Sequence, residues 1–179
     1  MTAPTLVFTW GNPSRGDDAL GPMFGDRLAD LAASHPEWGE IEVLTDFQLQ
    51  IEHALDLCGR SRVLFVDASV DATPPCLLQR IEAVRDVSFT THAMSPQSIL
   101  QVYLDLEKCS PPPTWQLAIY GSSFELGEGL SAAARGNLEA ALAVCVEWIL
   151  NTALNKVESG QADVPTMTAN PHDTGHLMV

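Results

Sequence analysis

The chain has 179 residues, 46% of them hydrophobic and 18% charged, the size and balance of one globular domain with a sizeable core. Its 23 acidic and 9 basic side chains give a formal net charge of -14, which repels nucleic acid and anionic lipid and favours cations and basic protein partners. No apolar run approaches a membrane span, and the first residues lack the basic-then-apolar pattern of a secretory leader, so a cytoplasmic protein that uses no membrane is expected.

In chain order, Leu6 to Trp10 is a short apolar run ending at Gly11 and reads as a buried strand. A polar turn follows, Gly11-Asn12-Pro13-Ser14-Arg15-Gly16-Asp17-Asp18. Leu20, Phe24, Leu28 and Leu31 then recur at helical spacing, in a helix that should stop before Pro36. Ile41 to Thr45 is the second strand, and Leu49 to Leu57 a short helix closed by Gly59. Val63 to Val66 is a third buried strand stopping at Asp67. Leu77 to Val84, after the turn at Pro74-Pro75, is a fourth and more peripheral one. Ser95 and Pro96 form an N-cap and first-turn pair for a helix bearing Ile99, Val102, Tyr103 and Leu106 on one face. Gln116 to Tyr120 is the fifth strand, and Ser131 caps a last helix whose buried side carries Leu138, Leu142, Cys145 and Ile149.

Strands alternate with helices, and most strands are apolar on both faces. The expected fold is therefore α/β: a three-layer α/β/α sandwich around a mostly parallel, twisted five-stranded sheet. Residues 1–156 should form this single domain. Residues 157–179 lose the apolar period and read as a flexible tail. The four cysteines, Cys58, Cys76, Cys109 and Cys145, are dispersed without a Cys-x-x-Cys pair and are expected to be free thiols.

In open α/β sheets, ligands bind beyond the carboxyl ends of the strands. The polar residues expected there are Asp17 and Asp18 after the first strand, Asp46 after the second, Asp67 after the third, His92 in the loop after the fourth, and Ser122 and Ser123 after the fifth. Asp18, Asp67 and His92 are two carboxylates and an imidazole, a set that suits a divalent transition metal while leaving positions open for a substrate donor. Each has a plainer use: Asp17 or Asp18 as a helix cap, Asp67 as a turn residue, His92 as a surface loop residue. His53, on the short helix near the rim, reads as a surface histidine, with a supporting role behind a rim residue as the alternative. The spacing of Gly11, Gly16 and Gly21 matches neither phosphate-binding glycine pattern, and no Gly-x-Ser-x-Gly or His-Glu-x-x-His motif occurs. His172 and His176 lie in the tail, with no helix to align them.

The segment Gly11-Asn12-Pro13-Ser14-Arg15-Gly16-Asp17-Asp18-Ala19-Leu20-Gly21 resembles the opening signature of the nickel-iron hydrogenase maturation proteases. So do the apolar strand ending in Asp67-Ala68 and the stretch Thr91-His92-Ala93-Met94-Ser95-Pro96 before a helix. The likeness runs from about residue 5 to 152. It implies an endopeptidase that removes the C-terminal extension of a hydrogenase large-subunit precursor after recognising its inserted nickel. By the same resemblance Asp18, Asp67 and His92 are the metal-contacting and catalytic residues, Asn12 and Asp17 shape the loop, and Asp46 lies near the substrate. The nickel would come with the substrate and no organic cofactor is implied. The partner would be the nickel-loaded precursor, met by a monomeric enzyme.

Many members have Gly-Gly-Thr after the acidic residue of the second strand, where this chain has Phe47-Gln48-Leu49. That stretch and Phe124 to Ser131 look more like members serving bidirectional, NAD-coupled hydrogenases. The alternatives are a non-proteolytic, nickel-dependent assembly chaperone on the same fold and a metal-dependent hydrolase of small molecules.

Overall fold

The computed structural model describes residues 1–85 and 94–151. His92, and the stretch from 157 onward read above as a tail, lie outside the described residues. The strands are β1 (Thr5–Trp10), β2 (Ile41–Asp46), β3 (Arg62–Ser69), β4 (Cys76–Ile81) and β5 (Thr114–Tyr120). They form one sheet in the order β2-β1-β3-β5-β4, parallel except for β4, which runs antiparallel to β5. The helices are α1 (Leu20–Ser34), α2 (Pro96–Glu107) and α3 (Ala132–Leu150).

Strand alternation divides the core in two. Val7, Leu64, Val66, Leu117 and Ile119 point to one face, where Leu20, Phe24 and Leu28 of α1 and Leu138, Leu142, Cys145 and Ile149 of α3 cover them. Leu6, Phe8, Trp10, Val63 and Phe65 point to the other face, against Ala54, Leu57 and Ile99, Leu100 and Tyr103 of α2. The three layers expected from the sequence are present. All four cysteines are free. Among the described residues, no helix is long and apolar enough to cross a membrane.

Both long-helix caps form as expected: the Ser95 hydroxyl accepts from the Ser98 N–H at 3.1 Å, and that of Ser131 from Ala134 at 3.1 Å. Other boundaries differ. The third strand continues past Asp67 to Ser69, held by pairing with β5 through Ser69 and Tyr120. The fourth stops at Ile81 rather than Val84. The helix expected over Leu49–Leu57 is a 3-10 turn over Ile51–Leu57.

The direction of β4 corrects one premise. Ile81 pairs with Thr114, the first residue of β5, so β4 ends at the far edge of the sheet, away from the carboxyl ends of the parallel strands. The end of the fourth strand therefore does not lie at that rim. Val84 donates to the carbonyl of Gln97 in the first turn of α2. At the other end of α2, Glu107 interacts with Cys58, just ahead of the start of β3. The first turn of α2 thus points back toward the rim that ends β1 and β3.

Candidate active site at the β1–β3 rim

The first connection leaves β1 toward β2, and the chain after β3 moves to the opposite side of the sheet. The crevice between the ends of β1 and β3 is thus the point where the strand order reverses. The loop after β1 folds tightly over it because glycine permits the approach. At Gly11 (φ 146°) a Cβ would stand 2.1 Å from the Asp18 carbonyl oxygen, and at Gly21 one would stand 1.9 Å from that of Trp10. The glycines of the motif permit this close backbone packing.

Within this loop Asn12 works twice. Its side-chain oxygen accepts from the Ser14 N–H at 2.9 Å, and its own N–H donates to Asp18 Oδ2 at 3.1 Å. Asp18 is half-buried at the crevice, beside Asp67. Its neighbour Asp17 is fully buried and turned the other way. Asp17 accepts from the N–H groups of Ser122 (2.8 Å), Ser123 (3.1 Å) and Ser131 (2.8 Å) and from the Ser131 hydroxyl (3.0 Å). Burial alone would raise its pKa, but these four donors outweigh it and hold the carboxyl below the ordinary value. Neither aspartate makes a side-chain cap to its own helix. Asp17 ties the β1 loop to the chain after β5, and Arg15 Nε adds a bond to the Phe124 carbonyl at 2.9 Å.

Asp67 sits one residue beyond the last β1–β3 pair, Thr9 with Val66, and so lies beside Trp10. Alternation puts it on the face of Val63 and Phe65, and the Trp10 indole hydrogen-bonds its carboxylate. Burial pushes its pKa up to about 7; the Ala68 N–H and the indole oppose that rise, and the Asp18 charge adds to it. Two carboxylates thus share one crevice at the strand-order reversal. Among the described residues no three His, Cys, Asp or Glu side chains gather in one metal-binding set. Asp18 and Asp67 supply two such groups, and the third of the sequence-derived set, His92, lies outside the described residues.

Asp46 ends β2, in register with Trp10. It is not isolated: His53 Nε2 lies 3.1 Å from its Oδ2, and the Phe47 N–H donates to its Oδ1. Here the sequence reading is corrected, because His53 is 8% exposed and is not a surface histidine. The available signal was the spacing Gln50-x-x-His53: the Gln50 N–H bonds to His53 Nδ1 at 2.9 Å in a reciprocal cap. The sequence reading also missed Trp10, which looked like a core residue and nothing more.

The far edge carries a recess lined by Pro4, Thr5, Trp38, Ser61, Arg62 and Pro113. Its cation is committed elsewhere: Arg62 bonds Thr5 Oγ1 and the Trp148 and Ile149 carbonyls, closing the end of α3. The rim, not this recess, has the convergent acidic chemistry.

No protein-family model matches the chain, and no curated protein matches it in sequence. Solved structures do match. The HycI maturation protease of Thermococcus kodakarensis KOD1 gives a TM-score of 0.62 at 17% identity, covering 83% of this chain and 94% of that one. The hydrogenase maturating endopeptidase HybD of E. coli gives 0.60 at 20% identity, covering 86% and 93%. The hydrogenase 2 maturation peptidase of Thaumarchaeota archaeon SCGC_AB-539-E09 gives 0.57 at 21% identity, covering 81% and 97%. The chain has the fold of the nickel-iron hydrogenase maturation proteases. On that maturation-protease fold this sequence sets Asp18 and Asp67 at the crevice between β1 and β3, with Asp46 on the next strand end.

Proposed function

We propose that this protein is an endopeptidase that removes the C-terminal extension of a nickel-iron hydrogenase large-subunit precursor once nickel is in place. The observation that carries the reading is the carboxylate pair at the crevice of a maturation-protease fold. Burial and the neighbouring Asp18 charge both disfavour ionised Asp67. A divalent cation presented by a partner relieves both penalties at once. Nickel is then part of the substrate: Asp18 and Asp67 meet it, His92 completes the set, and binding is tight only when the precursor is loaded.

Docking fixes the scissile peptide over the crevice. The substrate's cation polarises the carbonyl there, or a carboxylate takes the proton from attacking water. Asp67, whose pKa burial pushes up to about 7, is placed for either proton role. His92 has to be neutral to coordinate, so engagement weakens in acid. The Phe47-Gln48-Leu49 stretch after Asp46 supports precursors of bidirectional, NAD-coupled hydrogenases as the substrate class. The enzyme acts in the cytoplasm as a monomer.

The test is the mass of a nickel-loaded precursor after incubation. Wild type shortens it; Asp18→Ala, Asp67→Ala and His92→Ala slow the cut on the order of a hundredfold or more. Full activity in all three variants overturns the metal-contact reading. Binding without any loss of mass makes the protein a chaperone instead.

A further inference from the structure

The His53–Asp46 pair has a construction that core packing does not require. His53 is gripped on three sides. Its ring lies 4.6 Å from that of Phe8, its Nδ1 bonds the Gln50 N–H at 2.9 Å, and its Nε2 meets Asp46 Oδ2 at 3.1 Å. Because a backbone N–H points at Nδ1, that nitrogen is the bare acceptor, and the ring proton sits on Nε2, where it donates to the carboxylate. The imidazole is buried, yet the Asp46 side chain is 39% exposed. Both Asp46 oxygens are held from the protein side, by His53 and by the Phe47 N–H, and the side chain is still partly open to solvent.

We propose that His53 is a positioning residue that holds the Asp46 carboxylate as a preset acceptor for an N–H or cationic group of the precursor's peptide. This rests on the peptidase reading above. The register supports it. Asp46 is paired with Trp10, and Asp67 lies beside Trp10 on β3, so Asp46 and Asp67 stand two strand spacings apart. At about 4.8 Å each, that is roughly 10 Å. It is too far to share one ion and equals about three residues of extended peptide. Leu44 packs with the same layer as Phe8 and Phe65, so alternation turns Asp46 to the side Asp67 uses. A peptide laid across the rim, over the ends of β3, β1 and β2, meets both.

Cleavage kinetics of the nickel-loaded precursor test this with Asp46→Ala, His53→Phe, His53→Gln and the Asp46→Ala/His53→Phe pair, with thermal melts to confirm folding. His53→Phe is expected to raise KM about tenfold with little change in kcat, as loss of a charged hydrogen bond predicts. The pair should be no worse than Asp46→Ala alone, and His53→Gln, whose amide nitrogen replaces the Nε2 donor, should restore most of the loss. In nitrogen NMR the wild-type ring should show a bare Nδ1. Wild-type KM in folded His53→Phe, additive losses in the pair, or an Nδ1–H tautomer each overturn the proposal while leaving the peptidase reading intact. A wild type that leaves the precursor uncut removes both.

Discussion

Asp17 and Asp18 adjoin in sequence and live in opposite circumstances. Asp17 is sealed and accepts four hydrogen bonds from the chain after β5. Its folded pKa lies below 3.8, so its stabilising contribution is complete above that value and is lost as pH falls through the lowered one. Asp17→Ala strands three part-buried N–H groups and a hydroxyl, and should cost about 3 kcal/mol in denaturant titrations. Asp67 has the opposite sign. Its pKa is raised from 3.8 to about 7, chiefly by burial, so the native state holds a proton the unfolded chain has released. The stability tied to that proton is present at low pH and lost as pH rises through about 7. Asp67→Asn, which carries no charge, should therefore gain on wild type in melting temperature between about pH 5 and about pH 8. A difference that stays constant across that window contradicts the assignment. Partner identity was hidden here: Asp17 and Asp18 are the same residue type, and only contacts more than 100 positions away distinguish them.

The start of α1 is the element on which the crevice depends. Its first turn presses on the end of β1 so closely that a Cβ at Gly21 would overlap the Trp10 carbonyl, whereas nothing stands within 4 Å of one at Gly136 on α3. Gly21→Ala should destabilise by at least about 2 kcal/mol. Gly136→Ala, in an exposed helix interior, should stabilise by about 0.5–1 kcal/mol. Equal effects of the two in thermal melts would contradict the close packing of α1 on β1. Elements governed by local chemistry were legible in the sequence. Ser95-Pro96 and Ser131 announce their helices because the cap is made within four residues. The direction of β4 was not legible, because an apolar strand looks alike whichever way it runs, and only pairing with β5 decides it. His53 was misplaced for a similar reason. A histidine on a short helix reads as exposed unless the Phe8 ring and Asp46 carboxylate that enclose it are known.

Across the whole molecule, the reversal of strand order creates the working edge, and the alternation of β1, β2 and β3 turns Trp10, Asp46 and Asp67 to one side of it. The layered architecture followed from apolar runs separated by helical periods. The pairing of Asp18 with Asp67 rested on a shared motif order and on the rule that ligands gather beyond the strand ends. The central claim is that this edge reads nickel carried by a partner before a peptide bond is cut. Its most direct measurement is intact mass of one hydrogenase large-subunit precursor, prepared with and without nickel and incubated with the wild-type protein. The account predicts loss of the C-terminal extension from the loaded form alone; equal shortening of both forms, or of neither, contradicts it.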